Sequence, residues 1–384
     1  FNTTGAANTA VGTSSLDANT TGDSNTAVGL NALGANTTAG NNTAVGRNAL
    51  FVNTTGANNV AVGSLALDAN TTADGNTAVG QGAMSGTTTG ANNIAIGLSS
   101  LYTNTTGASN TALGQGALFA NTTANLNTAV GFGAMYANTT GTRNIGIGAN
   151  AYNASDTESD NVAVGYDAMT TNTAGGEKNV AIGNYALDAL TSGDINTAVG
   201  YQALSQNTTG TKNTGVGYNA LESVTTGDFN TAIGQSSGSE TTTADSNTSV
   251  GQESLRSNTT GASNTTMGKD SMYTNTTGDN NVAIGIQALY SNTTASNNTA
   301  VGRDALYTNS TGADNTAMGR AALVQNTTGA NNVAMGRDAL AANTTAVSNV
   351  AVGHDAMVTN TTGAYNVAMG DIALRDNLDT NYNV

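Results

Sequence analysis

The segment Asn42–Asn58 reads NTAVGRNALFVNTTGAN, and Asn59–Gly75 repeats it as NVAVGSLALDANTTADG. Outward from this pair, the same start recurs at Asn8, Asn25 and so on to Asn383. Every step is 17 residues except Asn161 to Asn179, which is 18. Ten starts lie between Asn8 and Asn161 and thirteen between Asn179 and Asn383, giving 22 complete units. With the leading Asn as position 1, the unit is N-[TVI]-A-[VIML]-G-x-x-[AS]-L-x-x-N-T-T-G-x-x. A fixed period of this kind indicates a stacked repeat architecture.

Each position tolerates different residues. Position 2 is always β-branched, position 4 always aliphatic or Met, position 5 always Gly in complete units, and position 8 always Ala or Ser. Position 9 is Leu or Met except at Tyr152 and Gly238, whereas positions 6, 7, 10, 11, 16 and 17 vary freely. Seventeen residues cannot hold two helices and a turn, and Asn, Thr and Gly are poor helix formers. A short β-branched run that ends at Gly is a strand signature. The fold class expected is all-β: a parallel β-solenoid of about 22 coils, each with two short strands and two turns. The absence of proline fits, because coils paired above and below cannot lose ladder donors. Gly at position 5 is expected to take positive φ or to admit a neighbouring backbone. Asn at positions 1 and 12 should stack in amide ladders, and Thr at 13 and 14 in hydroxyl ladders. The expected core is a column of position 4 and position 9 side chains, with small residues at 3 and 8. Residues 1–384 read as a single continuous domain with an irregular middle over 145–245 and a one-residue insertion within 161–178. Two large apolar residues per coil make a thin core, so either the ladder hydrogen bonds carry much of the stability or chains associate and bury a second apolar column, which is the main reason to expect an oligomer.

Composition narrows function. The 384 residues include no Cys and one His (His354), which removes disulfides, thiolate metal sites and most imidazole clusters. A net charge of −15 disfavours nucleic acid as a partner. No apolar run approaches the length of a membrane-spanning helix, and the N-terminus lacks the pattern of a signal peptide. No catalytic residue, cofactor site or metal site is singled out, and the expectation is a protein that is not an enzyme.

The cores N-V-A-I-G at Asn179–Gly183 and Asn281–Gly285 and N-I-A-I-G at Asn93–Gly97 resemble the head repeats of YadA-like trimeric autotransporter adhesins. The longer unit is similar to repeats of phage tail-fibre-like and bacterial surface proteins. The resemblance covers nearly the whole chain. It implies a left-handed β-roll, three chains side by side and a role in attachment.

Candidate surface features follow the same period. Aromatic residues recur at position 10 on consecutive coils, as Tyr102, Phe119 and Tyr136 and again as Tyr273, Tyr290 and Tyr307. Such ladders suit a carbohydrate platform or a subunit seam, and also serve simply to stabilise neighbouring coils. The N-x-T triplets that begin at position 12 make Asn19, Asn36, Asn53, Asn70, Asn104, Asn121, Asn138, Asn207, Asn258, Asn275, Asn292, Asn326, Asn343 and Asn360 candidate glycan acceptors. The preferred reading of these triplets is a structural turn. Arg303, Arg320, Arg337 and His354 form a basic column at position 6, followed in sequence by Asp304, Asp338 and Asp355. A solvated edge is favoured there over an anion site. The acidic middle (Asp156, Glu158, Asp160, Asp167, Glu177, Asp188, Glu222, Asp228 and Glu240) is weighed as a Ca²⁺ loop and set below drift of an exposed edge.

The function expected is a non-catalytic structural segment of an extracellular fibre or adhesin-like appendage, with repeated weak contacts gaining avidity. A virion tail or receptor-binding fibre is the alternative, and an ice-binding solenoid a weaker one. The partners expected are the chain itself, as a homotrimer or an end-to-end fibre, and surface glycans or a host receptor. The expected location is extracellular, on a cell or virion surface. Neither chain end, Phe1 or Val384, shows a recognisable cap, so the ends are expected to continue into a longer protein or to be covered by other subunits.

Overall fold

The computed structural model describes residues 2–172, 174–376, 378 and 380–383. Phe1, Val384 and Thr173 of the insertion lie outside these described residues. The structure divides into two units, Phe1–Ser192 and Gly193–Val384. In each, the chain is a stack of coils with one three-residue strand per coil. The first unit holds eleven strands, from β1 (Thr9–Val11) to β11 (Val180–Ile182). The second also holds eleven, from β12 (Thr197–Val199) to β22 (Val367–Met369).

Within a unit, successive strands are parallel and in register. Thr26, Ala27 and Val28 lie opposite Thr43, Ala44 and Val45. The insertion does not shift this register, since Val162 still faces Val180. The extra residue is absorbed in the turn after Asn172, whose amide reaches four residues on to Gly176 O at 2.7 Å rather than the usual three.

The second strand expected in each coil is replaced by a turn in which alternate residues are left-handed. In the coil from Asn42, Asn48 (position 7) and Leu50 (position 9) have φ of 57° and 50°. The ladder still continues around the coil. Leu33 N donates to Ala49 O at 3.0 Å, Ala35 N to Phe51 O at 3.0 Å, and Asn48 N back to Leu30 O at 2.9 Å. Left-handed backbone costs a non-glycine residue roughly 1–2 kcal/mol, and more for β-branched side chains. That preference gives a reason why position 9, which is Leu or Met apart from Tyr152 and Gly238, is never Val or Ile.

The strand's inner face is narrower than expected. Position 3 points inward: Ala27, Ala44 and Ala61 are fully buried, as are Ala32 and Leu33 at positions 8 and 9. The position 4 column is not core. Val11, Ile96, Ile147 and Met267 are 57%, 44%, 39% and 50% exposed. Side chains alternate faces along a strand, so an inward position 3 forces positions 2 and 4 outward together. Position 5 satisfies both reasons proposed for its glycine. From Gly12 to Gly370 its φ lies between 129° and 143°. A Cβ on Gly29 would also sit 2.6 Å from Gly46 O of the next coil.

The polar interior is built from asparagine. At position 1, Asn42 N donates to Asn25 Oδ1 of the preceding coil at 3.0 Å, and Asn42 Nδ2 to Gly56 O at 2.9 Å. At position 12, Asn53 Nδ2 donates to Asn36 Oδ1 at 3.2 Å and to the same Gly56 O at 2.9 Å. Two buried amide columns therefore meet at the carbonyl of position 15. Position 13 threonines add a third ladder, with Thr20 Oγ1 donating to Thr37 O at 2.9 Å. The acceptor is the next coil's backbone, not the next hydroxyl, whereas Thr38 and Thr55 at position 14 are exposed.

Candidate functional site

The outer surface is organised in columns, and the broadest is the outer face of the strands. It carries Thr, Val or Ile at position 2 and Val, Ile, Leu or Met at position 4, without a charge in any coil. On a chain of net charge −15 this is a continuous uncharged surface. Both of its columns are open together at Ile94 and Ile96 (42% and 44% exposed) and at Ile145 and Ile147 (37% and 39%).

The position 10 aromatics do form ladders. Tyr102, Phe119 and Tyr136 stack with ring centroids 5.2 and 4.8 Å apart and planes within 4°. Tyr273, Tyr290 and Tyr307 stack at 5.2 and 5.1 Å. Further ladders stand at columns not singled out from the sequence: Tyr201 on Tyr218 at position 6 and Tyr365 on Tyr382 at position 17. The 17-residue spacing of those pairs would have revealed them.

The glycan acceptors need correction. Asn19, Asn36, Asn53, Asn70, Asn104, Asn121, Asn138, Asn207, Asn258, Asn275, Asn292, Asn326, Asn343 and Asn360 are all buried, none more than 1% exposed. Their amide nitrogens point into the coil and hold interior hydrogen bonds, so a folded coil has no room for a sugar there. The same column accepts Leu190 and Val224, both fully buried, which only an interior position would allow. Breaks in the column leave a trace. Asn70, Asn138, Asn172 and Asn207 each have a buried Oδ1 without a partner. In every case the next coil offers Thr87, Ser155, Leu190 or Val224 in place of the asparagine that would have donated to it.

The basic column is neutralised locally. Arg303 pairs with Asp304 at 3.1 Å and Arg337 with Asp338 at 3.1 Å, while Arg320 reaches Asp338 at 3.5 Å. His354 lies 3.3 Å from Asp355 and 3.0 Å from Asp371. Exposed pairs of this kind contribute little stability, but they remove the cationic stripe that an anion would need.

In the acidic middle, the carboxylates do not gather. Among the described residues no group of three or more His, Cys, Asp or Glu could hold a metal ion. Glu158 instead turns inward and is 2% exposed. It accepts from Ser155 Oγ at 2.6 Å, from the backbone N–H of Asp156 and Thr157 at 3.1 Å each, and from Gly175 N of the next coil at 3.0 Å. Burial pushes its carboxyl up, but the bonds from Ser155 and the backbone N–H groups outweigh that and hold it below the ordinary glutamate value. Tyr152, at position 9 of the same coil, is fully buried and its hydroxyl accepts from Asn161 Nδ2 at 2.6 Å. Asp188 is the opposite case. Burial pushes its carboxyl up to about 6, and its Oδ1 is buried without a partner. No protein-family profile and no curated protein matches this chain.

Proposed function

We propose that this chain is a structural, non-catalytic segment of an extracellular fibre or adhesin-like appendage, and that copies of it pack through the outer face of their strands. The observation that carries this reading is the uncharged double column at positions 2 and 4, repeated at every coil of a strongly acidic chain. Two such faces match in spacing wherever they meet, because both repeat at the coil separation of about 4.8 Å. Burying them would supply the apolar contact that an interior lined mainly by Ala and one Leu per coil lacks. The backbone ladder around each coil suits a load-bearing spacer, and the columns outside the packed face remain for weak repeated contacts. A virion tail fibre would use the same physics, attached to a different body.

Light scattering on the intact chain tests the packing. A particle near three chain masses is expected, falling to one mass when Ile96→Glu and Ile147→Glu are combined. A monomer at every concentration, or an assembly indifferent to those two changes, would overturn it.

A further inference from the structure

We infer that the coils around Gly133 hold a binding site for one neutral hexopyranose unit. Position 7 normally carries a polar side chain, such as Asn31 or Asn48, but at two consecutive coils it is Gly116 and Gly133. Both glycines are buried and left-handed, with φ of 67° and 60°. The missing side chains open a groove of about 290 Å³ between the position 6 and position 10 columns. Phe132 forms one wall and is 58% exposed; Tyr136 forms the other and is 42% exposed. Tyr136 also ends its stack, since position 10 of the next coil is Asn153.

The far side of the groove is amide. Asn150 Nδ2 donates to Asp167 Oδ1 at 3.1 Å, which fixes the amide's orientation. A Cβ on Gly133 would lie 3.1 Å from Asn150 Oδ1, so that oxygen stands over the groove floor. Asn153 Nδ2 is anchored on Gly133 O at 2.9 Å, leaving its second hydrogen and its Oδ1 for a ligand. No charged side chain lines the groove. A ligand that enters must be uncharged, must offer an apolar face to aromatic rings, and must exchange hydrogen bonds with primary amides. A pyranose has C–H faces for Phe132 and Tyr136 and hydroxyls for Asn150 and Asn153. The groove volume suits a single ring.

The second aromatic stack is an internal control. Tyr273, Tyr290 and Tyr307 have the same ring spacing, but position 7 beside them is filled by Asp270, Gln287 and Asp304. Stacked trios are therefore present twice at position 10, and among the described residues only the trio of Tyr102, Phe119 and Tyr136 stands beside glycines at position 7, where the Tyr102 ring covers Gly82 and the Tyr136 ring covers Gly116.

Saturation-transfer NMR with the methyl glycosides of glucose, galactose, mannose and N-acetylglucosamine, each at ~10 mM, tests the site on the intact chain. At least one is expected to bind in the millimolar range. Gly133→Asn, which restores the residue found at Asn31 and Asn48 with a similar φ, should weaken that binding at least about tenfold. Tyr136→Ser should do the same, while Tyr290→Ser should leave it unchanged. No binding by any of the four, binding indifferent to Gly133→Asn, or equal loss in Tyr290→Ser would overturn the site. It needs no second copy of the chain, so particle mass, read separately, keeps its failure distinct from failure of the fibre reading.

Discussion

The coils from Asn25 to Asn58 and the coil from Asn144 to Asp160 solve the same problem differently. In the first, each interior asparagine bonds to its counterpart one coil away, as in the chain Asn19, Asn36, Asn53, and to the carbonyl of position 15. In the second, position 12 is Ser155, and the asparagine solution is gone. Glu158 folds in from position 15 and gathers Ser155 and three backbone N–H groups, while Tyr152 supplies an acceptor to Asn161. The interior tolerates a change of chemistry provided the donors and acceptors still close. Where they do not, as at Asn138 Oδ1, an orphan atom remains. Each such orphan represents a cost of order 1–3 kcal/mol.

Four substitutions would break or sharpen this contrast. The largest effect is expected from Gly29→Ala, because its φ of 135° is closed to other residues and the new Cβ would meet Gly46 O at 2.6 Å. A local loss of about 3 kcal/mol or more is expected, read as faster hydrogen exchange in the flanking coils. Gly175→Ala in the irregular turn should cost less, since its φ of 107° strains an alanine too but a Cβ there meets nothing within 4 Å. Equal effects would show that the regular coils are no tighter than the irregular one.

Glu158→Ala ranks next. It strands Ser155 Oγ and the amides of Asp156, Thr157 and Gly175, for an expected loss of about 2–3 kcal/mol confined to those coils. The wild type should show a matching acid sensitivity. The folded carboxyl is held below its unfolded value, so its contribution is complete above about pH 4.3 and disappears as pH falls through the lower, folded value. Amide exchange at Gly175 that ignores pH over that window would count against the buried carboxylate.

The smallest effect is a gain. Thr87→Asn would return a donor to Asn70 Oδ1 and keep an acceptor for Asn104 Nδ2, which now uses Thr87 Oγ1 at 3.3 Å. Stabilisation of about 1 kcal/mol is expected, seen as slower exchange at Asn70 and Asn104. A loss instead would mean that the orphan oxygen is not what limits that coil.

Much of the fold is legible from the period alone: parallel coils in register, a strand at positions 2–4, a glycine corner and two amide columns. The errors have physical causes. Val and Ile at position 4 look like core, yet the tight coil takes mainly Ala, with Gly146, Gly215, Ser249 and Thr266 as departures, on the strand's inner face, and alternation then sends both neighbours outward. The N-x-T triplet reads the same whether its asparagine faces in or out. Leu190 and Val224 at that position were the available sign that it faces in. The left-handed turn at positions 7 and 9 left no second strand to find, because Leu carries no local signature of that conformation. The groove beside Tyr136 depends on two glycines that, in a sequence with 48 of them, have nothing to mark them out.

The position 7 turn has a consequence for how such a protein can change. Its backbone is held by bonds to the coils on either side, as when Asn48 N reaches Leu30 O, and its side chain is a passenger. Each unit's exterior is thus a grid of squares, addressed by column and row, in which one square can be rewritten without redrawing the others. Blanking two adjacent squares is enough to turn a smooth wall into a niche, and duplication of the three coils that line it copies the niche along with its address.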